Sequence, residues 1–296
     1  LVGFGLGGEW SAGSVLVAEA WPAKHRGKAI GLMQSGFAIG YILAALLSAA
    51  VLPRFGWRVL FVLGLVPALL LVWIRRNLKE TAPLDRHAHV GVADTLAIMA
   101  RPPFLRRAVF ATLSASALLF AYWGLFTWIP SFLSTPVEKG GAGLTIVKSL
   151  GWLIPMQTGA FFGYASFGFF ADRFGRKPCF VAFVLAAAVI VPVYGLNARN
   201  GATLMLLGPL LGFFGHGYFS VFGAMLSELF PASVRGTAQG LCYNLGRATS
   251  ALAPWAIGVV AQTRGLGSAL AMTSIMFVAG ALFMLFLPET RGKALE

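Results

Sequence analysis

The chain has 296 residues, of which 58% are hydrophobic and only 11% charged, with a mean hydropathy of +0.78. A water-soluble domain carries about 25% charged residues, so this composition excludes the soluble globular class and makes a lipid bilayer the natural solvent. The formal net charge of +13 does not argue for a nucleic-acid partner, because the cations are sorted between alternate connections along the chain.

Apolar stretches of about 20 residues cross about 30 Å of hydrocarbon as helices. Backbone groups in lipid must be satisfied within a helix or a closed barrel, and the stretches here are too long and continuous for barrel strands. Nine spans are expected, in an all-α membrane protein. The first, 1–20, contains Glu9. A short basic connection leads to 28–52 and 57–74, and a polar, Pro- and Arg-bearing linker follows at 75–106. Six further spans run over 107–133, 150–171, 179–196, 203–226, 237–260 and 267–287. The expected units are therefore 1–74, the linker 75–106, and a complete six-span unit at 107–296. The 36 glycines suit helices that pack closely in lipid.

Sixteen of the 23 Lys and Arg residues fall in one set of alternate connections and six in the other; Arg247 lies within a span. Cytoplasmic loops carry such an excess. This places Leu1 on the outer side and the C-terminus in the cytoplasm. Cys179 and Cys242 fall near cytoplasmic span ends, where a structural disulfide is not expected. The chain opens inside a hydrophobic run without an initiator Met, as expected of a fragment.

An internal repeat sets the architecture. EAWPAKHRGKAIG at 19–31 aligns with ELFPASVRGTAQG at 228–240. At a constant offset of 209, Glu19 matches Glu228, Pro22 matches Pro231, Arg26 matches Arg235, and Gly27 matches Gly236. Gly3 and Gly8 match Gly212 and Gly217, and Glu80-Thr81 matches Glu289-Thr290. The two units therefore share one design in one orientation. Six spans lie in the second half and three in the first, so roughly 100 residues and three spans are expected before Leu1, by the repeat's own length. On that reading the 296 residues would not transport alone.

GYASFGFFADRFGRKP (163–178) matches the loop signature G-x-x-x-G/A-D-R-x-G-R-K/R of the major facilitator superfamily, and the paired ExxPxxxRG segments and PETRG (288–292) match further patterns of it. The chain resembles that superfamily over nearly its whole length. GLGGEW (5–10), EAWP (19–22), GFAIGY (36–41) and GWRVLF (56–61) are most similar to its bacterial sialate and monocarboxylate proton-symporter group. The resemblance implies two parallel six-helix halves related by an axis along the membrane normal. It further implies alternating access, an inner (plasma) membrane location, a monomer, and no cofactor or metal.

In that superfamily a network of loop and helix-end charges stabilises the outward-facing state. The matching residues are Asp172, Arg173, Gly175, Arg176, Lys177, Glu228 and Arg235, with Glu19 and Arg26 as first-half equivalents. Such pairs are expected to be partly solvated, each worth about 0–1 kcal/mol. The plainer alternative is that they only anchor helix ends.

Ionisable groups deep in a span point to function. Glu9 lies ten residues before Glu19 and Arg247 about ten into its span, which is roughly 15 Å from the membrane surface at 1.5 Å per residue. Arg247 offers a planar fork that matches a carboxylate, so it is the first candidate for an anionic substrate. Burial favours the neutral form of a carboxyl, which suits Glu9 to exchange a proton. The alternative is mutual stabilisation of the two. His216 is a second proton-coupling candidate. The repeat equates Glu9 with Tyr218, which is expected on the cavity side; His216 sits about 200° away on a continuous helix. Gln34, Tyr122, Gln157 and Asn244 complete the substrate-binding set, with Trp123 and Thr127 as further candidates. Trp57 and Trp128 are expected as interfacial belt residues.

The expected function is proton-coupled symport of a small organic anion, with a sugar or drug porter of the same fold as the alternative. A polytopic membrane enzyme is the rival of a different class. His89 and Asp94 have an H-x-x-x-x-D spacing, but they lie in the linker with no acyl pocket.

Overall fold

The computed structural model describes residues 2–22, 25–77, 91–197 and 199–291. Among them the chain is helical, with no strand. The first half supplies α1 (Val2–Ala20), α2 (Arg26–Leu63) and α3 (Val66–Asn77). After the linker come α4 (Val92–Met99), α5 (Phe104–Phe126), α6 (Ile129–Ser134), α7 (Ile146–Phe174) and α8 (Arg176–Leu196). The chain ends with α9 (Gly201–Gly217), α10 (Phe219–Glu228), α11 (Arg235–Ser250), α12 (Ala253–Arg264) and α13 (Leu266–Leu285).

All nine expected spans are present, several as broken helices. The span at 107–133 is α5 and α6, that at 203–226 is α9 and α10, and that at 237–260 is α11 and α12. The expected turn between 52 and 57 is a kink. Pro53 lies inside α2, and Gly56 has φ 73°, a left-handed backbone that only glycine adopts without strain. Five stretches are long and apolar enough to cross a membrane by length and composition: Arg26–Leu70, Phe104–Ser134, Arg176–Leu196, Gly201–Glu228 and Leu266–Leu285. Outward faces of the bundle carry bare apolar side chains such as Val189, Leu206 and Trp255, a surface suited to lipid. Helices α1, α7 and α11 carry Glu9, Asp172 and Arg247.

Local chemistry explains the starts of helices. Thr145 caps α7 by accepting from the Lys148 amide (3.3 Å), and Asn200 caps α9 by accepting from that of Thr203 (3.1 Å), which satisfies donors that a helix leaves bare. The described part of the linker includes a helix, α4, whose Thr95 and Met99 are buried against α11 and α5. Asp94 lies in the first turn of α4, whereas His89 lies outside the described residues.

Within the second half, α7 packs on α9, α8 on α9 and α13, and α5 on α11 and α13. Gly163 makes the α7–α9 approach possible: a Cβ there would lie 2.3 Å from the Phe213 carbonyl oxygen. The first half docks by α1 on α11, by α2 on α10, and by α2 on α7. The first two contacts are images of each other under the 209-residue offset, since α1 corresponds to α9–α10 and α2 to α11–α12. Atomic detail repeats as well. Arg26 Nε donates to the Ala18 carbonyl (2.7 Å), and Arg235 Nε donates to the Ser227 carbonyl (2.8 Å). The two halves are therefore parallel repeats.

Candidate functional site

A cavity of about 420 Å³ lies between the halves. Helix α1 lines it with Glu9, Trp10 and Gly13, and α2 with Met33, Gln34 and Phe37. From the second half come Leu119, Tyr122 and Trp123 of α5, Tyr164 of α7, Phe219 of α10, and Tyr243 and Arg247 of α11. The spacings explain the grouping. Glu9 and Gly13, Met33 and Phe37, and Tyr243 and Arg247 are each four apart, and residues four apart share a helix face.

The rings of Trp10 and Tyr243 stack across the two halves, with centroids 3.8 Å apart and planes 15° from parallel. The Arg247 guanidinium carbon lies 6.0 Å from the Tyr243 ring centroid. Tyr122 meets Phe219 edge-on at 5.0 Å. Chemically, the cavity offers one permanent cation, one carboxyl and one amide set in aromatic walls.

Five of the expected midplane residues thus meet at one cavity: Glu9, Gln34, Tyr122, Trp123 and Arg247. Glu9 is exposed there, not buried as its depth suggested. The others are placed elsewhere. Tyr218 is fully buried beside Phe180, Phe219 and Phe277. The alignment with Glu9 misleads because the helix breaks at Tyr218, between α9 and α10, and turns Phe219 to the cavity instead. His216 is also fully buried; its Nδ1 lies 3.1 Å from the Gly212 carbonyl and its ring packs against Tyr122 and Phe126. It stands behind the lining. Gln157 is buried in α7 away from the cavity, and the Asn244 amide donates to the Gly240 carbonyl of its own helix (2.9 Å). Thr127 caps the exposed end of α5. Trp57 is exposed as a belt residue would be, whereas Trp128 donates to the Pro254 carbonyl at 3.0 Å. A larger cavity, of about 730 Å³, lies within the second half at the opposite end, and no first-half residue lines it.

Below the small cavity the halves close on each other. Gly168 of α7 meets Gly27 of α2 so closely that a Cβ on Gly168 would lie 2.5 Å from the Gly27 carbonyl oxygen. A Cβ on Gly31 would lie 2.6 Å from that of Tyr164. Farther along α2, Gly36 and Gly40 have nothing within 4 Å of such an atom. The halves therefore touch closely at this end. Gln239 donates to Ser14 Oγ (2.6 Å) in the same contact.

Charge fastens this end. Arg26 of the first half donates to Glu228 Oε1 (2.7 Å) while Arg176 donates to Glu228 Oε2. The side chains are 0% exposed for Glu228, 5% for Arg26 and 1% for Arg176, so these are buried pairs and not the partly solvated ones expected. Asp172 lies against Gly27. Burial pushes its carboxyl above the usual carboxylate range, against the opposing pull of Arg176, Lys28 and His25. Arg173 is exposed, its guanidinium over the Phe174 ring at 5.4 Å. Arg235 sits symmetrically to Arg26, at the end of α11 that faces α1. The Glu19 side chain lies outside the described residues.

Gly175 and Lys177 serve a different contact. Gly175, at φ 103°, joins α7 to α8. Glu289 Oε1 and Oε2 accept the amides of Arg176 (3.1 Å) and Lys177 (3.0 Å), and Oε1 also accepts those of Thr290 and Arg291. A carboxylate at a helix N-terminus satisfies bare donors and the positive end of the dipole. Lys177 Nζ donates to the Leu285 (2.5 Å) and Leu287 (2.9 Å) carbonyls, capping the last turn of α13. The Glu289 role is not visible in the sequence beyond its place in PETRG. The aromatic lining of Trp10, Tyr164, Phe219 and Tyr243 was also missed, because single aromatics in spans carry no signal of where they face.

Comparison with known proteins fits this arrangement. Residues 1–167 and 144–296 match the Major Facilitator Superfamily profile. A Cupriavidus pinatubonensis protein described as "Probable 4-methylmuconolactone transporter" is 36% identical over all of this chain and 69% of its own length. The sialic acid transporter NanX of Escherichia coli is 28% identical over 94% of this chain and 67% of its own. Among solved structures, the proton:xylose symporter XylE superposes with a TM-score of 0.72 and 22% identity, covering 95% of this chain and 68% of that one.

Proposed function

This chain belongs to the major facilitator superfamily, and from that premise we propose that it moves a small organic anion together with a proton by alternating access. It is an integral membrane transporter of that superfamily, and its two parallel halves are those of that fold. The observation that carries the proposal is Arg247 and Glu9, from opposite halves, lining one cavity.

Arg247 binds the substrate carboxylate with its planar fork, a geometry that an ammonium lacks. Glu9 faces the same space from α1 and takes the proton. Of the two proton-coupling candidates, only Glu9 reaches the cavity. Gln34 and the ring of Tyr122 position the remainder of the substrate. The Arg26–Glu228–Arg176 cluster and the Gly27–Gly168 contact form the gate below. The positive-inside bias supports a cytoplasmic gate end, and on this reading the halves are closed on the cytoplasmic side of a bacterial inner membrane. Rocking one half against the other must separate Arg26 from Glu228. Two relatives whose names refer to sialic acid and to a muconolactone support an organic acid over a sugar; the likeness to XylE carries the fold alone.

The test is uptake of labelled carboxylic acids by proteoliposomes holding the protein expressed from its complete gene, with and without an inward proton gradient. Accumulation that requires the gradient and is lost in Glu9→Gln supports the proposal. Uptake of neutral sugars in place of acids overturns the substrate class.

A further inference from the structure

We propose that the larger cavity, at the end of the second half away from the gate, is a binding site for a phosphate group. The inference goes beyond the transport reading and makes no use of the cavity between the halves.

Three connections of the second half build this cavity. The segment between α6 and α7 supplies Glu138 and Lys139, the turn between α8 and α9 supplies Arg199, and the turn between α12 and α13 supplies Arg264. Each connection thus contributes one cation. Together they are three of the six Lys and Arg residues in the cation-poor set of connections. The positive-inside bias thins cations from that side, yet half of the few that remain gather round one concavity. Like charges repel, so a surface that only needed solvation would be better served by dispersing them.

Lys139, Arg199 and Arg264 are exposed to solvent. Among the described residues, neither they nor Glu138 make an ion pair or a side-chain hydrogen bond. Three cations against one carboxylate leave an excess of positive charge, and a cleft lined by one sign of charge concentrates the opposite ion. The N-terminus of α13, which has no side-chain cap, adds the positive end of a helix dipole on the same side.

The backbone beneath the cations is tied together. The Gly267 amide donates to the Gly140 carbonyl at 3.1 Å, joining the first connection to the third. The second connection is held as closely, since a Cβ on Gly195 would lie 2.5 Å from the Gly267 carbonyl oxygen. The three cations therefore stand on one packed floor, which lowers the ordering cost of binding.

The arrangement selects the ligand. A guanidinium fork matches carboxylate and phosphate alike. Cations arriving from three separate connections suit a tetrahedral oxyanion, whose oxygens point in several directions, better than a carboxylate, whose two oxygens lie in one plane. The volume of about 730 Å³ falls within the range of small-molecule sites. Leu196, 63% exposed, adds an apolar flank to the lining, so the phosphate can belong to a lipid headgroup or to a free solute.

The test is calorimetric titration of the detergent-solubilised product of the complete gene at constant ionic strength. The probes are inorganic phosphate, acetate and, in a separate arm, a short-chain phosphatidylglycerol. At least one phosphate-bearing probe is expected to bind saturably, about tenfold more tightly than acetate. Arg199→Ala and Arg264→Ala should each weaken that binding by about three- to tenfold. Lys148→Ala, which removes an exposed cation of the same side from outside the cavity, should leave it unchanged. Binding of inorganic phosphate assigns the site to a free solute, and binding of phosphatidylglycerol alone assigns it to a lipid headgroup. Acetate equalling the phosphate-bearing probes overturns the ligand class. No binding of either, no effect of the two arginine variants, or an equal effect of Lys148→Ala overturns the site. None of these outcomes bears on acid uptake through the cavity between the halves, and the probe series on the unmodified protein stands even if a variant does not fold.

Discussion

Arg26 reaches across the two halves to Glu228 at 2.7 Å, and Glu228 is held from its other oxygen by Arg176. One carboxylate thus holds two guanidiniums from different halves out of water. Removing one partner from a buried pair leaves an uncompensated charge and costs about 3–5 kcal/mol. Opening the gate end returns both arginines to solvent and relieves that cost. Glu228→Gln is therefore expected to favour the gate-open state. Maleimide labelling of Ser14→Cys, a position fully buried in the same contact, should rise several-fold over the unmutated gate. Unchanged labelling would mean that the cluster only anchors helix ends.

Close backbone contact sets the second expectation. A side chain on Gly168 has no room beside the Gly27 carbonyl, whereas Gly36 faces open space. Gly168→Val should hold the gate end apart and raise Ser14→Cys labelling, and Gly36→Val should leave it unchanged. Equal effects from the two would remove the contact from the gating account.

Glu289 caps α8 through the amides of Arg176 and Lys177. Losing a cap of this kind costs about 1 kcal/mol, or roughly 2–4 °C in melting temperature for a chain of this size class. Glu289→Ala should show that loss in a thermal melt, and Glu289→Gln, which keeps one acceptor oxygen, should show less.

Asp172 gives a pH signature with a definite sign. Its carboxyl titrates above the usual 3.8 in the folded protein because burial disfavours the charge. A group whose folded value is raised in this way penalises the folded state as pH rises from the unfolded value through the folded one. Asp172→Asn removes the penalty, so the variant should be the more stable at about pH 7, and its advantage should shrink towards about pH 4. Melting curves across that range check this, and an Asn variant less stable at neutral pH would contradict it.

The spans, the repeat and the charges gathered at the helix ends were legible because each rests on a signal that needs no tertiary structure. Apolar length reports bilayer crossing, and a fixed offset of 209 reports duplication. That offset even predicts the Arg26–Ala18 and Arg235–Ser227 bonds as a pair. Glu9 and Arg247 were legible by the cost of a charge in lipid. Tyr218 was not, since the break at the start of α10 turns its side chain by an amount no alignment records. The burial of Glu228 was also hidden, because a sequence shows that charges lie at helix ends but not that a facing half covers them.

The most direct test of the account compares two modes of transport in the same proteoliposomes: uphill accumulation of a labelled carboxylic acid under an inward proton gradient, and gradient-free exchange of labelled for unlabelled acid. The account predicts that Glu9→Gln loses accumulation but keeps exchange, because the anion site is intact and only the proton step is gone. Arg247→Ala should lose both, with affinity falling by about 10–100-fold, the worth of a hydrogen-bonded charge pair. Full gradient-driven accumulation in either variant would contradict the central claim that these two residues, one from each half, form the transport site.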